Sequence, residues 1–183
     1  MTLTIIVLVV LAVVLWGFYV SWRASRLDRL HNRVEAARTA LDLALVRRAS
    51  AAQELASSGL LDPAASLLLG DAVRRVRQVG PSERDLGESD LTRLLRATLG
   101  DPDFRKEFAG DHAADHGGVA ELVAEVEAAA QQVFIARKFY NDLAGRTVDA
   151  RRRPLAKVLH LSGSAKQPEF FDMDDAIAGE GIE

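Results

Sequence analysis

The residues of this chain best suited to metal chemistry sit in one glycine-bounded stretch, Gly110-Asp-His-Ala-Ala-Asp-His-Gly-Gly118. His112 and His116 are four apart, so on a helix both imidazoles would share one face and could hold a zinc ion. Asp111 and Asp115 stand beside them, and the run resembles the H-x-x-E-H pattern of zinc peptidases with aspartate in place of the general-base glutamate. The shorter carboxylate does not reach a metal-bound water in the same way. Flanking glycines favour a loop over a preorganised helix, and a catalytic zinc needs a fixed third ligand and an open position. The expectation is a solvated polar loop with no metal and no cofactor. A zinc-dependent hydrolase built on His112 and His116 is the alternative. The sequence carries no phosphate-binding Gly-Lys-Ser/Thr loop, nucleophile elbow, dinucleotide fingerprint or kinase signature, so the chain is expected not to be an enzyme.

Two other polar residues are conspicuous because of the apolar patterns they interrupt. Leu27, Leu30, Val34, Ala37, Leu41, Ala44, Ala51 and Leu55 follow alternating three- and four-residue steps, with Arg48 in the one slot between Ala44 and Ala51. Val119, Leu122, Val126, Ala129, Val133, Ala136 and Leu143 do the same around Tyr140. Such seams need a covering helix, and a charge or hydroxyl inside one is costly unless it is paired. The first seam predicts one long helix ending at Ser57-Ser58-Gly59, and the second predicts a helix from about 119 to 152. Between them, Asp62-Pro63 reads as a cap and first-turn proline opening a helix that closes at Gly80-Pro81, with Leu67, Leu68, Val73 and Val76 as its stripe. Ser89-Asp90 reads as the cap of a short helix carrying Leu91, Leu94, Leu95 and Leu99. Asp101-Pro102 reads as the start of a turn presenting Phe104 and Phe108, and the rest of 80–118 as loop. Period-two alternation is absent, so the fold class is all-α. Two long helices and shorter ones are expected to form an antiparallel bundle.

No Gly or Pro separates the first seam from an unusual start. Thr2 to Trp22 carries no charged side chain, and Ile5 to Trp16 is unbroken apolar sequence. A helix of about twenty residues spans the roughly 30 Å hydrocarbon core of a bilayer. Trp16, Tyr19 and Trp22 then recur at helical spacing, followed at once by Arg23, Arg26 and Arg29. Amphipathic rings favour the headgroup layer, and positive charge is retained on the cytoplasmic side. This predicts a single-pass membrane protein with the N-terminus outside and the C-terminal domain cytoplasmic. A cleaved signal peptide is the rival, but it needs a basic leading region and a small-residue cleavage site that are absent around Trp22-Arg23-Ala24. The chain has no cysteine, which excludes a lipidated cysteine and a disulfide framework.

The expected organisation is an anchor over 1–22, a helical-bundle domain over 23–153, and an interfacial or disordered acidic tail over 154–183. Arg151-Arg152-Arg153 closes the last long helix, where cations favour the negative end of the helix dipole. In an up-down-up-down bundle those arginines also return to the anionic headgroups. Leu155, Val158 and Leu159 beyond Pro154 then fit a short interfacial helix. In the tail, Phe170, Phe171 and Met173 stand among acidic residues and are expected to dock on the bundle. With 23 basic against 26 acidic residues the formal net charge is −3, and no basic stripe carries interleaved aromatics, so nucleic acid is not an expected partner.

The segment Asn32-Arg-Val-Glu-Ala-Ala-Arg-Thr-Ala-Leu-Asp-Leu-Ala-Leu-Val-Arg47-Arg48, just beyond an anchor, resembles the opening of the LemA family. Ala136-Arg137-Lys138-Phe139-Tyr140-Asn141 is similar to that family's Ala-Arg-x-x-Tyr-Asn signature. Pro154-Leu155 and Pro168-Glu-Phe-Phe171 are similar to its closing elements. The chain departs from the pattern in three places: Ala49-Ser50-Ala51-Ala52 replaces a Leu-Ile-Pro-Asn run, a second Tyr-Asn after Asn141 is replaced near Thr147-Val148, and Arg153 stands where a phenylalanine precedes the proline. The resemblance implies a helical-bundle membrane protein whose domain faces the cytoplasm. It singles out Asn32, Asp42, Arg47, Arg48, Arg137, Tyr140 and Asn141 as motif residues. Asp42, Arg47 and Arg48 on one helix and Arg137, Tyr140 and Asn141 on another are expected to hydrogen-bond one another across the bundle and fix its register, or else to form an interaction site. The functional expectation is a non-catalytic scaffold or partner-binding module, with the lipid bilayer and an unidentified protein as partners. Exposed heptad edges make a homo-oligomer a further expectation.

Overall fold

The computed structural model describes residues 2–80, 83–102, 104, 117–152 and 167–175, without the side chains of residues 20, 23–28, 117 and 119. The described residues form four long α-helices and an extended C-terminal segment: α1 over Thr2–Ser57, α2 over Pro63–Gln78, α3 over Arg84–Gly100 and α4 over Gly117–Arg152.

Local chemistry sets most of the helix ends. α1 runs 56 residues because only Gly17 interrupts its helix-forming sequence. It stops where Ser58 N–H turns back to the Leu55 carbonyl at 3.3 Å and Gly59 takes a φ of +77°. The Asp62 carboxylate then caps α2, accepting from the amides of Ala64 at 2.9 Å and Ala65 at 3.0 Å, with Pro63 supplying a preset φ at the first position. α3 begins at Arg84, not at Ser89. Ser89 Oγ donates to the Asp85 carbonyl at 2.7 Å inside the helix, so its hydroxyl is engaged one turn back instead of capping. α2 also differs from expectation. Leu67 and Leu68 are exposed, and the buried stripe is Leu69, Ala72 and Val73, which repeats at the helical period with half-buried Val76.

The chain divides into two compact units. In the larger, spanning 39–139 with the residues from 171 onward, four helices share one core. α1 gives Ala49, Ala51, Ala52, Leu55 and Ala56; α2 gives Leu69, Ala72 and Val73; α3 gives Leu91, Leu95 and Leu99; α4 gives Val126 and Ala129. Each leucine so buried stabilises the fold by about 1.5–3 kcal/mol. The smaller unit combines residues 1–38 and 140–170. There Val34 and Ala37 of α1 and Tyr140, Leu143, Ala144, Thr147 and Val148 of α4 are buried. Every seam position from Val34 to Leu55 is buried, Arg48 included. The first part of α1 is different. Thr2–Tyr19 has a mean hydropathy of 2.5 over 18 residues, none of them buried, and is long and apolar enough to cross a membrane.

Two glycines give opposite expectations in thermal or urea unfolding. Gly59→Ala should lose about 1 kcal/mol, because a Cβ is strained at positive φ. Gly87→Ala should gain about 0.5–1 kcal/mol, because an α3 interior glycine carries an entropic cost. The added Cβ would sit 3.7 Å from Val76 Cγ2, an ordinary contact.

Candidate functional site

The interior of the larger unit holds a charge cluster built around the interruption in the α1 seam. Arg48 lies under helix α3 with its side chain 1% exposed, and Glu88 faces it at the same exposure. Arg48 Nη2 donates to Glu88 Oε2 at 2.6 Å and to the Glu88 carbonyl at 3.2 Å, while Nη1 donates to Thr92 Oγ1 at 2.7 Å. Thr92 Oγ1 in turn donates to the Glu88 carbonyl at 3.0 Å. Glu88, Leu91, Thr92, Leu95 and Leu99 repeat at helical spacing, so α3 presents a carboxylate, a hydroxyl and three leucines on one buried face. Arg84 extends the cluster outward, lying 3.9 Å from Glu88 Oε1 and bonding Asp42 Oδ1 at 2.8 Å. Burial pushes the Glu88 carboxyl above its ordinary value and the Arg48 guanidinium below its own, and the attraction between the two opposes both shifts without reversing them. Arg48 Nε is buried with no hydrogen-bond partner.

A second set of polar contacts holds the extended segment. Tyr140 Oη donates to the Glu169 carbonyl at 2.6 Å, and the Phe170 ring lies against Gly145. From residue 171 the contacts move to α3 and α4. The Asp172 amide donates to Asp85 Oδ2 at 3.1 Å, and the Asp174 amide donates to Ser89 Oγ at 3.0 Å. Between them Met173 is 5% exposed. The Asp174 carboxylate pairs with Arg96 at 2.8 Å. Asp175 is gripped by the planar fork of Arg137, Nε to one oxygen and Nη2 to the other at 2.9 Å. These groups are suited to recognition: they read peptide amides and carboxylates, on either side of a buried methionine.

The sequence-derived residues distribute as follows. Arg48 is buried and paired, but with Glu88 and Thr92 and not with Tyr140. Arg47 reaches α4 through Glu125 Oε1 at 2.9 Å and Gln132 Oε1 at 3.3 Å; Asp42 bonds Arg84; Arg137 bonds Asp175. These four therefore take partners from outside the motif set, so the expected mutual network among them is replaced by separate ties to α3, α4 and the tail. Asn141 is half-buried and Asn32 is exposed. Trp22 and Arg29 are exposed on α1. The side chains of Arg23 and Arg26 lie outside the described residues, as do Asp111, His112, Asp115, His116 and the whole of 153–166. Glu88, Thr92, Asp85 and Arg96 carry no motif that marks them in the sequence, and Ser89, which reads there as a cap, instead bonds the Asp85 carbonyl and the Asp174 amide. The one available signal was the position of Glu88, a turn before Leu91 on the same stripe, where a buried Arg48 needed a carboxylate.

Compared with known proteins, the chain matches no family model, no curated protein and no solved structure.

Proposed function

We propose that this chain is a non-catalytic, membrane-anchored recruiting module of LemA-like type. Its helical body stands at the cytoplasmic face of the membrane and its N-terminus lies outside. The observation that carries this reading is the start of α1: 18 residues of mean hydropathy 2.5, wholly unburied, on the same continuous helix as the buried Arg48 seam. An unburied apolar helix of that length has no use in water and matches the bilayer core. Arg23, Arg26 and Arg29 directly after Trp22, at the end of a stretch from Thr2 without a charged side chain, support the orientation. The helices are read as an antiparallel bundle, since the early part of α1 shares a unit with the late part of α4. Exposed Leu43 and Val46 on α1, and Ile135 and Phe139 on α4, offer apolar contact surface for a protein partner or a second copy.

The absence of cysteine makes the topology directly testable. Single cysteines are introduced by Thr2→Cys and Ser50→Cys and probed with a membrane-impermeant maleimide. Intact cells should label the first and not the second, and permeabilised cells should label both. Labelling of the Ser50→Cys chain in intact cells would reverse the orientation. Crosslinking in native membranes followed by affinity capture then identifies the partner.

A further inference from the structure

The segment 171–175 is held in a way that reads its chemistry, and the reading groups all belong to the larger unit. On α3, Asp85, Ser89 and Arg96 stand at i, i+4 and i+11, which places them on one stripe of the helix. One helical step of four residues rises about 6 Å, and two residues of extended chain rise about 6.6 Å. The two repeats therefore run in register, and successive even residues of an extended peptide meet successive turns of α3. The Asp172 amide meets Asp85, the Asp174 amide meets Ser89, and the Asp174 carboxylate meets Arg96. The odd residues point elsewhere: Met173 is buried, and Asp175 meets the Arg137 fork on α4. Two of these contacts are to backbone amides and would serve any extended chain. The specificity lies in the buried methionine and in two arginines placed for carboxylates.

We propose that this stripe of α3, with Arg137, is a binding site for an extended acidic peptide anchored by a methionine. The chain's own Phe171–Asp175 fills the site at rest, and the matching segment of a partner protein displaces it. The Arg96–Asp174 pair is more than a third exposed on both sides, and pairs of that kind hold weakly, which suits exchange. A tethered segment competes at millimolar effective concentration, so the resting chain shields the site from weak or incomplete ligands. The site does not depend on where the N-terminal part of α1 resides.

The test uses the full chain in detergent and a fluorescent, end-capped peptide of sequence Phe-Asp-Met-Asp-Asp. Met173→Lys in the chain should free the site, and the peptide should then bind at least tenfold more tightly than to the native chain. Adding Arg137→Glu should abolish that gain, and a peptide with lysine in place of its last aspartate should restore it. Equal binding to native and Met173→Lys chains, or no binding to either, overturns the proposal. If Met173→Lys loses helicity, the native chain decides the matter through hydrogen exchange at its own Asp172 and Asp174 amides. Saturating peptide should speed that exchange at least tenfold, and unchanged protection shows a permanently built-in strand and overturns the proposal.

Discussion

Arg48→Met alone should destabilise the chain by about 3–5 kcal/mol, and Glu88→Leu alone by a similar amount, because each leaves the opposite buried charge unpaired. The double variant Arg48→Met/Glu88→Leu should be at least as stable as the native chain, with a gain of up to about 4 kcal/mol. Both side chains are 1% exposed, and in both groups desolvation outweighs the mutual attraction in setting the direction of the pKa shift. An ion pair in that condition costs more on leaving water than it recovers by attraction, and the partnerless Arg48 Nε adds to the cost. The pair then serves to fix register: only one alignment of α1 against α3 puts a guanidinium opposite both Glu88 and Thr92. Urea unfolding of the three variants distinguishes the outcomes. A double variant as unstable as either single one would mean the pair itself is strongly stabilising.

The same shifts give a pH dependence. A carboxyl whose folded pKa lies above its unfolded value near 4.5 contributes stability that is fully present below that value and is lost as pH rises through the folded pKa. The stability difference between the native chain and Glu88→Gln should therefore move in favour of the native chain as pH is lowered from 7 toward 4.5. Arg48 does not titrate in this window.

Charges placed at the middle of the apolar stretch should have the largest effect on location. Val10→Arg with Leu11→Arg should cost about 2.5–3.5 kcal/mol per arginine at the bilayer centre. That total exceeds the level at which a single span still inserts efficiently. Both positions are exposed in the structure, so the body of the protein loses no packing and its helicity should be unchanged. Loss of membrane association with intact far-UV dichroism is the expected result. Retained membrane association would mean that surfaces other than the first helical stretch hold the chain there.

Helix periodicity made the long elements readable in advance. The seam from Val34 to Leu55 and the one from Val126 to Leu143 each needed burial on one face, and the structure buries them except at half-buried Ala136. Asp62-Pro63 and Ser57-Ser58-Gly59 marked ends through local chemistry that the structure reproduces. The start of α3 was not readable, because Ser89 suits a cap and an interior position equally. Its hydroxyl is drawn inward by the Asp85 carbonyl and by the Asp174 amide, a contact from 85 residues away. The Leu67-Leu68-Leu69 run shows the same limit: three adjacent leucines cannot all face a core, and only tertiary packing selects Leu69. For the site, sequence alone identified Arg48 as a buried charge that needed a partner. The identity of that partner depended on α3 starting nearly two turns earlier, which puts Glu88 within the helix. In the acidic tail the apolar residues suggested docking, and the structure buries Met173 but leaves Phe170 exposed; the carboxylate contacts were not readable, because nothing in the sequence places Arg96 and Arg137 beside Asp174 and Asp175.

A helical body tied to a bilayer by the first residues of α1 should resist alkaline carbonate extraction of membranes from cells expressing the chain. The full-length polypeptide, its N-terminal residues still present by mass, should remain in the pellet. Recovery of the intact chain in the soluble fraction, or of a product starting near Arg23, would contradict the account.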